Sequence, residues 1–331
     1  MKLERRDFMK VISAGAVTAT TAKTVRSEAR TALSEDAVGI LYDATVCIGC
    51  KACEVACKEY NDMPSSSSYV NDQFEVKNVW DSPDDLDAKT LNKIKLYKDG
   101  DGSVKDREKD GFSYIKRACM HCADPDCVSV CPVTALTKDP VTGIVSYDET
   151  RCCGCRYCQI ACQYLIPKFE YDDPLGQIQK CQLCSHVIAE GGIPGCCEAC
   201  PTGASIYGNV HDLLDEAHQR LDMTPGTTYD FPVRMVDSKD RASHEVHEYV
   251  NYVYGESEGG GTQYLILSAV PFGELGLPNL PDHSNASVTE KLQHSLYKGM
   301  IAPAALFVGL LYAAHQSVKY HNRSDEEGAD E

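Results

Sequence analysis

The apolar positions of this chain fall in short bursts, and most of the bursts predict strands. Gly39-Ile-Leu-Tyr-Asp43, Phe112-Ser-Tyr-Ile115 and Gly143-Ile-Val-Ser-Tyr-Asp148 combine branched and aromatic side chains over a few residues before a polar or turn-forming break. Ala204–Tyr207 and Tyr264–Val270 read the same way. Helical patterning is confined to Val210–Leu221 and to short segments carrying the later cysteines, such as Glu54–Tyr60. Small strands and short helices without a long periodic stretch predict an α+β fold.

Two longer apolar stretches lie near the ends. Val11–Ala22 follows a charged opening with adjacent Arg5 and Arg6, then Phe8 and Lys10, the pattern of a twin-arginine export signal over residues 1–34. Export in the folded state suits a protein built around a metal cofactor, because metal binding and folding are one equilibrium. Gly299–Ala314 carries no charge over 16 residues; Tyr297, Lys298 and His315 flank it and Tyr312 lies near its end. A C-terminal transmembrane helix over 299–314 is expected, with 315–331 as a polar tail; the alternative is a docking helix, since the run falls short of the usual span of about 20. An export signal and a terminal span together predict a periplasmic protein anchored at the inner membrane by one helix.

Composition alters this picture in two respects. Of 331 residues 43% are apolar, as in a globular protein, and the formal net charge is -17. An acidic chain lacks the basic surface that a nucleic-acid partner requires. Much of the charge is local, at Asp81–Asp87 and Asp325–Glu331, and reads as solvated surface. The second respect is cysteine, present 18 times.

Sixteen of these form four imperfect repeats. The first is Cys47, Cys50, Cys53, Cys57; the second Cys119, Cys122, Cys127, Cys131; the third Cys152, Cys155, Cys158, Cys162; the fourth Cys181, Cys184, Cys196, Cys200. The first and third match the C-x2-C-x2-C-x3-C ferredoxin pattern, and Pro132 and Pro201 complete Cys-Pro ends in the second and fourth. In that pattern two-residue gaps curl the chain so that three thiolates meet one cluster, while the last cysteine ligates a neighbouring cluster. Zinc sites use paired C-x2-C elements and have no need of triplets. Disulfides between such closely spaced cysteines would be strained. Register leaves Cys153 and Cys197 as non-ligating, and His121 and His186 as supporting or plain loop residues. Four [4Fe–4S] clusters are therefore expected.

Between the first two runs lies an insertion, 58–118, with Trp80, a turn at Pro83 and an Asp99-Gly-Asp-Gly102 turn; it reads as a covering or partner-facing segment or as a solvated loop. After Ala204 the chain has no cysteine, and residues 208–298 read as a partner-facing extension with a hinge at Gly259-Gly-Gly261 and a tyrosine patch, Tyr249, Tyr252 and Tyr254, more simply explained by packing. There is no Gly-rich dinucleotide fingerprint and no phosphate loop.

With these motifs the sequence resembles the four-cluster iron–sulfur electron-transfer subunits of the dimethyl sulfoxide reductase, formate dehydrogenase and nitrate reductase family. More narrowly, through the twin-arginine start, the terminal apolar stretch and Gly260-Gly-Thr-Gln263, it resembles the membrane-anchored iron–sulfur subunits of uptake nickel–iron hydrogenases of the hydrogenase 2 type. The resemblance implies two ferredoxin-like modules with insertions over 35–207. It also implies four ligand sets: Cys47, Cys50, Cys53 and Cys200; Cys57, Cys181, Cys184 and Cys196; Cys119, Cys122, Cys127 and Cys162; and Cys131, Cys152, Cys155 and Cys158. Implied partners are the small and large hydrogenase subunits, an integral membrane quinone-linked subunit, the membrane and the twin-arginine export machinery. The expected role is a non-catalytic relay of electrons. Service to a molybdenum oxidoreductase, or to a nitrite, polysulfide or thiosulfate reductase, is the nearest alternative, and a cluster-stabilised assembly protein the more distant one.

Overall fold

The computed structural model describes residues 33–64, 83, 85–173 and 175–327. The twin-arginine start and Trp80 lie outside them. At the centre is a four-stranded sheet in the order Arg234–Met235, Ser205–Asn209, Val38–Asp43, Tyr264–Leu267. Val38–Asp43 runs antiparallel to Ser205–Asn209, with Ile40 opposite Tyr207, and parallel to Tyr264–Leu267, with Ile40 opposite Tyr264. A strand with hydrogen-bonded neighbours on both sides should be apolar on both faces, and Ile40, Leu41 and Tyr42 are all buried.

One face of this sheet receives the amphipathic helix Val210–Leu221, whose Leu213 and Ala217 pack with Leu41, Ile206, Leu265 and Leu267. Asn209 caps it, its side chain accepting from His211 N–H at 2.8 Å. Near its C-terminus Arg220 reaches under the sheet and donates to the Asp43 carboxylate at 3.0 Å, while Glu216 accepts from Nε of the same guanidinium at 2.9 Å. The Tyr249 hydroxyl donates to Asp43 at 2.8 Å. The buried charges thus hold one another, as burial requires.

The other face carries the larger core, in which cysteines mix with apolar side chains. The described part of the insertion is not a loose loop. Lys93–Lys98 and Gly111–Arg117 form an antiparallel pair, with Val104–Lys105 beside the latter, and Ile94 and Ile115 are buried in this core. Two short hairpins, Leu136–Lys138 with Val145–Tyr147 and Lys168–Phe169 with Ile178–Gln179, support the second and third runs. Mixed helices and open sheets agree with the α+β expectation. Gly259, Gly260 and Gly261 form a buried turn rather than an exposed hinge, the Glu258 carboxylate accepting from Gly255 N–H at 2.7 Å and Gly261 C=O accepting from Ala123 N–H at 2.8 Å.

The expected transmembrane anchor requires correction. The terminal helix, Asn285–Glu327, is 43 residues long. Among the described residues, however, no helix is long and apolar enough to cross a membrane. The physical reason is the length of the apolar run: 16 residues at 1.5 Å each make about 24 Å, against about 30 Å of hydrocarbon. Anchoring at the inner membrane by this helix is overturned with it. The start of the helix docks on the protein instead, Asp126 accepting from Ala286 N–H at 2.6 Å and Glu290 from the Ser129 hydroxyl at 2.6 Å.

Candidate metal centres

All four runs open with the same backbone device. The residue before the second cysteine is left-handed in each: Gly49 (φ 67°), His121 (46°), Gly154 (67°) and Leu183 (55°). This turns the chain back on itself, and the N–H of Gly49, Gly154 and Leu183 donates to the sulfur two residues earlier, each at 3.4 Å. Such N–H groups favour charge on the sulfur. Only glycine adopts this conformation freely. His121 holds it because its Nδ1 accepts from Val145 N–H at 3.1 Å, pinning the turn to the neighbouring hairpin. In the first and third runs the residue after the second cysteine is left-handed as well, Lys51 and Arg156, and helices start there: Ala52–Tyr60 and Tyr157–Ala161.

The loops gather cysteines from different runs. One cavity is lined by Cys57, Cys181, Cys184 and Cys196, together with Asn61, Lys116 and Tyr264. Another is lined by Cys131, Cys152, Cys155 and Cys158, and also by Cys153, Tyr147 and Ile178. Cys47 and Cys53 feel the charge of Cys200, and Cys122 feels that of Cys119, Cys127 and Cys162. In both cavities the last cysteine of one run sits with members of another. Cys50 and Cys155 are exposed, whereas Cys53, Cys57, Cys158 and Cys184 are buried.

Burial dominates the electrostatics. It pushes the thiols of Cys53 and Cys181 up to about 12 and that of Cys158 to about 11, with neighbouring thiolates adding to the effect. Two thiols go the other way: Cys152 is lowered, and so is Cys196, by hydrogen bonding from Cys197 and by the Lys116 ammonium, against the cost of burial. Groups of thiols that raise one another's pKa are relieved by bound cations, which favour the thiolate. Among the described residues no three Cys, His, Asp or Glu side chains close on one point at single-ion distance. The sets surround a volume instead. The donor chemistry fits an iron–sulfur cluster, and among the described residues Tyr264 Oη, buried in the wall of the first cavity, is a donor without a partner.

Several supporting residues have no motif to announce them. Asn61 Nδ2 lies 3.9 Å from both Cys57 and Cys184 sulfur. Lys105 Nζ donates to Thr45 C=O at 2.6 Å and fixes the loop into the first run. Lys116 is a cation within a strand, 1% exposed, and its only sequence signal is a charge three positions before Cys119. His186 is an exposed residue whose Nε2 lies 2.9 Å from Tyr60 C=O. Cys197 is fully buried and Cys153 exposed.

Comparison with known proteins places this geometry in context. Residues 111–210 match the 4Fe-4S dicluster domain family. The hydrogenase-2 operon protein HybA of Escherichia coli O157:H7 is 43% identical over 333 aligned residues, covering 98% of this chain and 99% of that protein. The formate dehydrogenase-O iron-sulfur subunit of Escherichia coli K12 is 30% identical over 300 residues, covering 88% and 87%. The nitrate-inducible formate dehydrogenase iron-sulfur subunit of the same organism is 30% identical over 320 residues, covering 94% and 93%. With relatives of this similarity along nearly its whole length, and thiols gathered as iron–sulfur binding needs, the chain belongs to the iron–sulfur protein family that includes HybA and these formate dehydrogenase subunits.

Proposed function

We propose that the chain is a non-catalytic electron-transfer subunit. In this reading it relays electrons through four [4Fe–4S] clusters between the catalytic subunits of a nickel–iron hydrogenase and a quinone-linked subunit. The observation that carries the reading is the exchange of terminal cysteines. Cys57 of the first run lines a cavity with Cys181, Cys184 and Cys196, and Cys131 of the second lines one with Cys152, Cys155 and Cys158. That exchange is the mark of clusters held in neighbouring pairs. The other two sets are then Cys47, Cys50, Cys53 and Cys200, and Cys119, Cys122, Cys127 and Cys162. Residues 35–207 form the cluster-bearing domain and 208–298 the partner-facing extension. The similarity to a hydrogenase-2 operon protein supports the hydrogenase as partner.

Each cluster would supply a one-electron site. The chain's part is to hold the thiolates, aim N–H groups at their sulfurs and limit the water that reaches them, which sets the potential. Iron and sulfide analysis of the full chain purified without oxygen should give roughly sixteen of each per chain. A redox titration followed by electron paramagnetic resonance should show reduction within the range of quinones. A stoichiometry near eight would leave a dicluster protein, and clusters that resist reduction would leave an assembly role.

A further inference from the structure

Two of the four sets, Cys57, Cys181, Cys184 and Cys196 together with Cys47, Cys50, Cys53 and Cys200, here called the inner two, have a buried cation beside them for which no cysteine motif accounts. Lys116 sits next to the end of Gly111–Arg117, opposite Ile94, where its neighbour Ile115 is buried core. Its side chain is buried too, and Nζ donates to the Ser205 hydroxyl at 3.0 Å. Ser205 N–H in turn donates to Cys200 sulfur at 3.4 Å. The ammonium also lies 5.8 Å from the centre of the Tyr264 ring. Lys116 and Tyr264 both line the cavity of Cys57, Cys181, Cys184 and Cys196, and among the described residues Tyr264 Oη has no hydrogen-bond partner although the residue is 1% exposed.

A buried cation is costly unless anions face it. Among the groups charged against Lys116, Cys196 belongs to one set and Cys53 to the other, and Cys197 belongs to neither. The Ser205 hydroxyl that accepts from it is neutral, which leaves the thiolates to offset the charge. We propose that Lys116 and Tyr264 form a donor pair that tunes both inner cluster sites, raising their reduction potentials relative to the outer two. The ammonium favours the extra negative charge of the reduced state by proximity, and the phenol does so by donating to sulfur. Lys116 is a positioning and tuning residue; it is not a ligand.

The inference rests on the four-cluster reading, and one experiment separates their failures. Iron content of the unaltered chain tests the clusters, and midpoints of variants test the tuning. In Lys116→Met the iron content should be unchanged. Two of four midpoints should fall by at least a tenfold change in the reduction equilibrium, about 59 mV for one electron, with the other two unmoved. Lys116→Arg should restore them. Tyr264→Phe should lower the same two by less. Intact iron with four unmoved midpoints in Lys116→Met overturns the proposal. Should that variant lose iron, Tyr264→Phe and Ser205→Ala decide: no shift in either overturns it equally.

Discussion

The first and third cysteine runs are the same device in two surroundings. Both read Cys-x-Gly-Cys-basic-x-Cys-x3-Cys, both turn at a left-handed glycine, and both start a helix after a left-handed Lys51 or Arg156. In the first, Cys47, Cys53 and Cys57 lie in the main core, and the nine-residue helix is held by Glu54, which accepts from Ile94 N–H at 2.6 Å. In the third the helix has five residues, Cys153 and Cys155 are exposed, and Ile160 is 81% exposed. There Arg156 is held by surface stacking, its guanidinium 5.1 Å from the Phe169 ring centre. The thiol chemistry follows the surroundings. Burial pushes Cys47 up, whereas for Cys152 a smaller burial cost is outweighed by hydrogen bonds from the Tyr147 hydroxyl and Gly154 N–H, which bring it down. Spacing therefore specifies the turn, and packing specifies how much of the fold depends on it.

The largest consequence should appear when one ligand is removed from each copy. Cys53→Ser would open a site inside the core that also contains Ile40, Ile115 and Tyr264, so loss of that cluster should leave the chain unfolded or insoluble. Cys155→Ser, at the exposed copy, should give a folded chain with about a quarter less iron. Iron per chain and a circular-dichroism melt on both variants check this. Equal losses of structure would mean that the outer copy is as integral to the fold as the inner one.

That contrast was only half legible in the sequence. The turn residues, the strand Gly39–Asp43 and the helix Val210–Leu221 follow from local chemistry, and the structure has Val38–Asp43 and Val210–Leu221. What local chemistry does not contain is which copy is covered. Cover comes from Gly111–Arg117, more than fifty residues from the first run, whose Tyr114 rests against Gly49. The same holds for Lys116 and Tyr264, an ordinary lysine and an ordinary strand tyrosine until the packing of two separate sheets brings them beside Cys196. The terminal helix failed in the other direction. Its apolar composition was plain, but its length decides the matter, and 16 residues fall short.

The glycines sharpen the comparison at a smaller scale. At Gly49 an added Cβ would lie 2.4 Å from Tyr114 Cε1, whereas at Gly154 the nearest atom, Phe169 Cε2, is 3.3 Å away. Both positions carry the left-handed penalty of about 1–2 kcal/mol for an alanine. Only Gly49 adds overpacking of about 1–3 kcal/mol, because Tyr114 belongs to a paired strand whose C=O accepts from the Tyr42 hydroxyl at 2.9 Å. Gly49→Ala should therefore melt several degrees below Gly154→Ala, by roughly 2–4 °C per kcal/mol. Equal apparent Tm values would show that Tyr114 yields without cost.

The smallest expected effect is none at all, and it tests the register within the exposed copy. Cys152 and Cys153 are adjacent and both border the outer cavity, so either could be thought the ligand. Only Cys152 is prepared for the role: Gly154 N–H points at its sulfur and the Tyr147 hydroxyl favours its thiolate. Cys153 is exposed, and as a ligand it would leave one residue instead of two before Cys155. Cys153→Ser should keep the full iron content and an unchanged resonance spectrum, while Cys152→Ser should lose one cluster. Because the outer copy has little packing to enforce its register, loss of iron in Cys153→Ser would show that spacing and two hydrogen bonds are too weak to choose between neighbours, and that the core does the choosing in the inner copy.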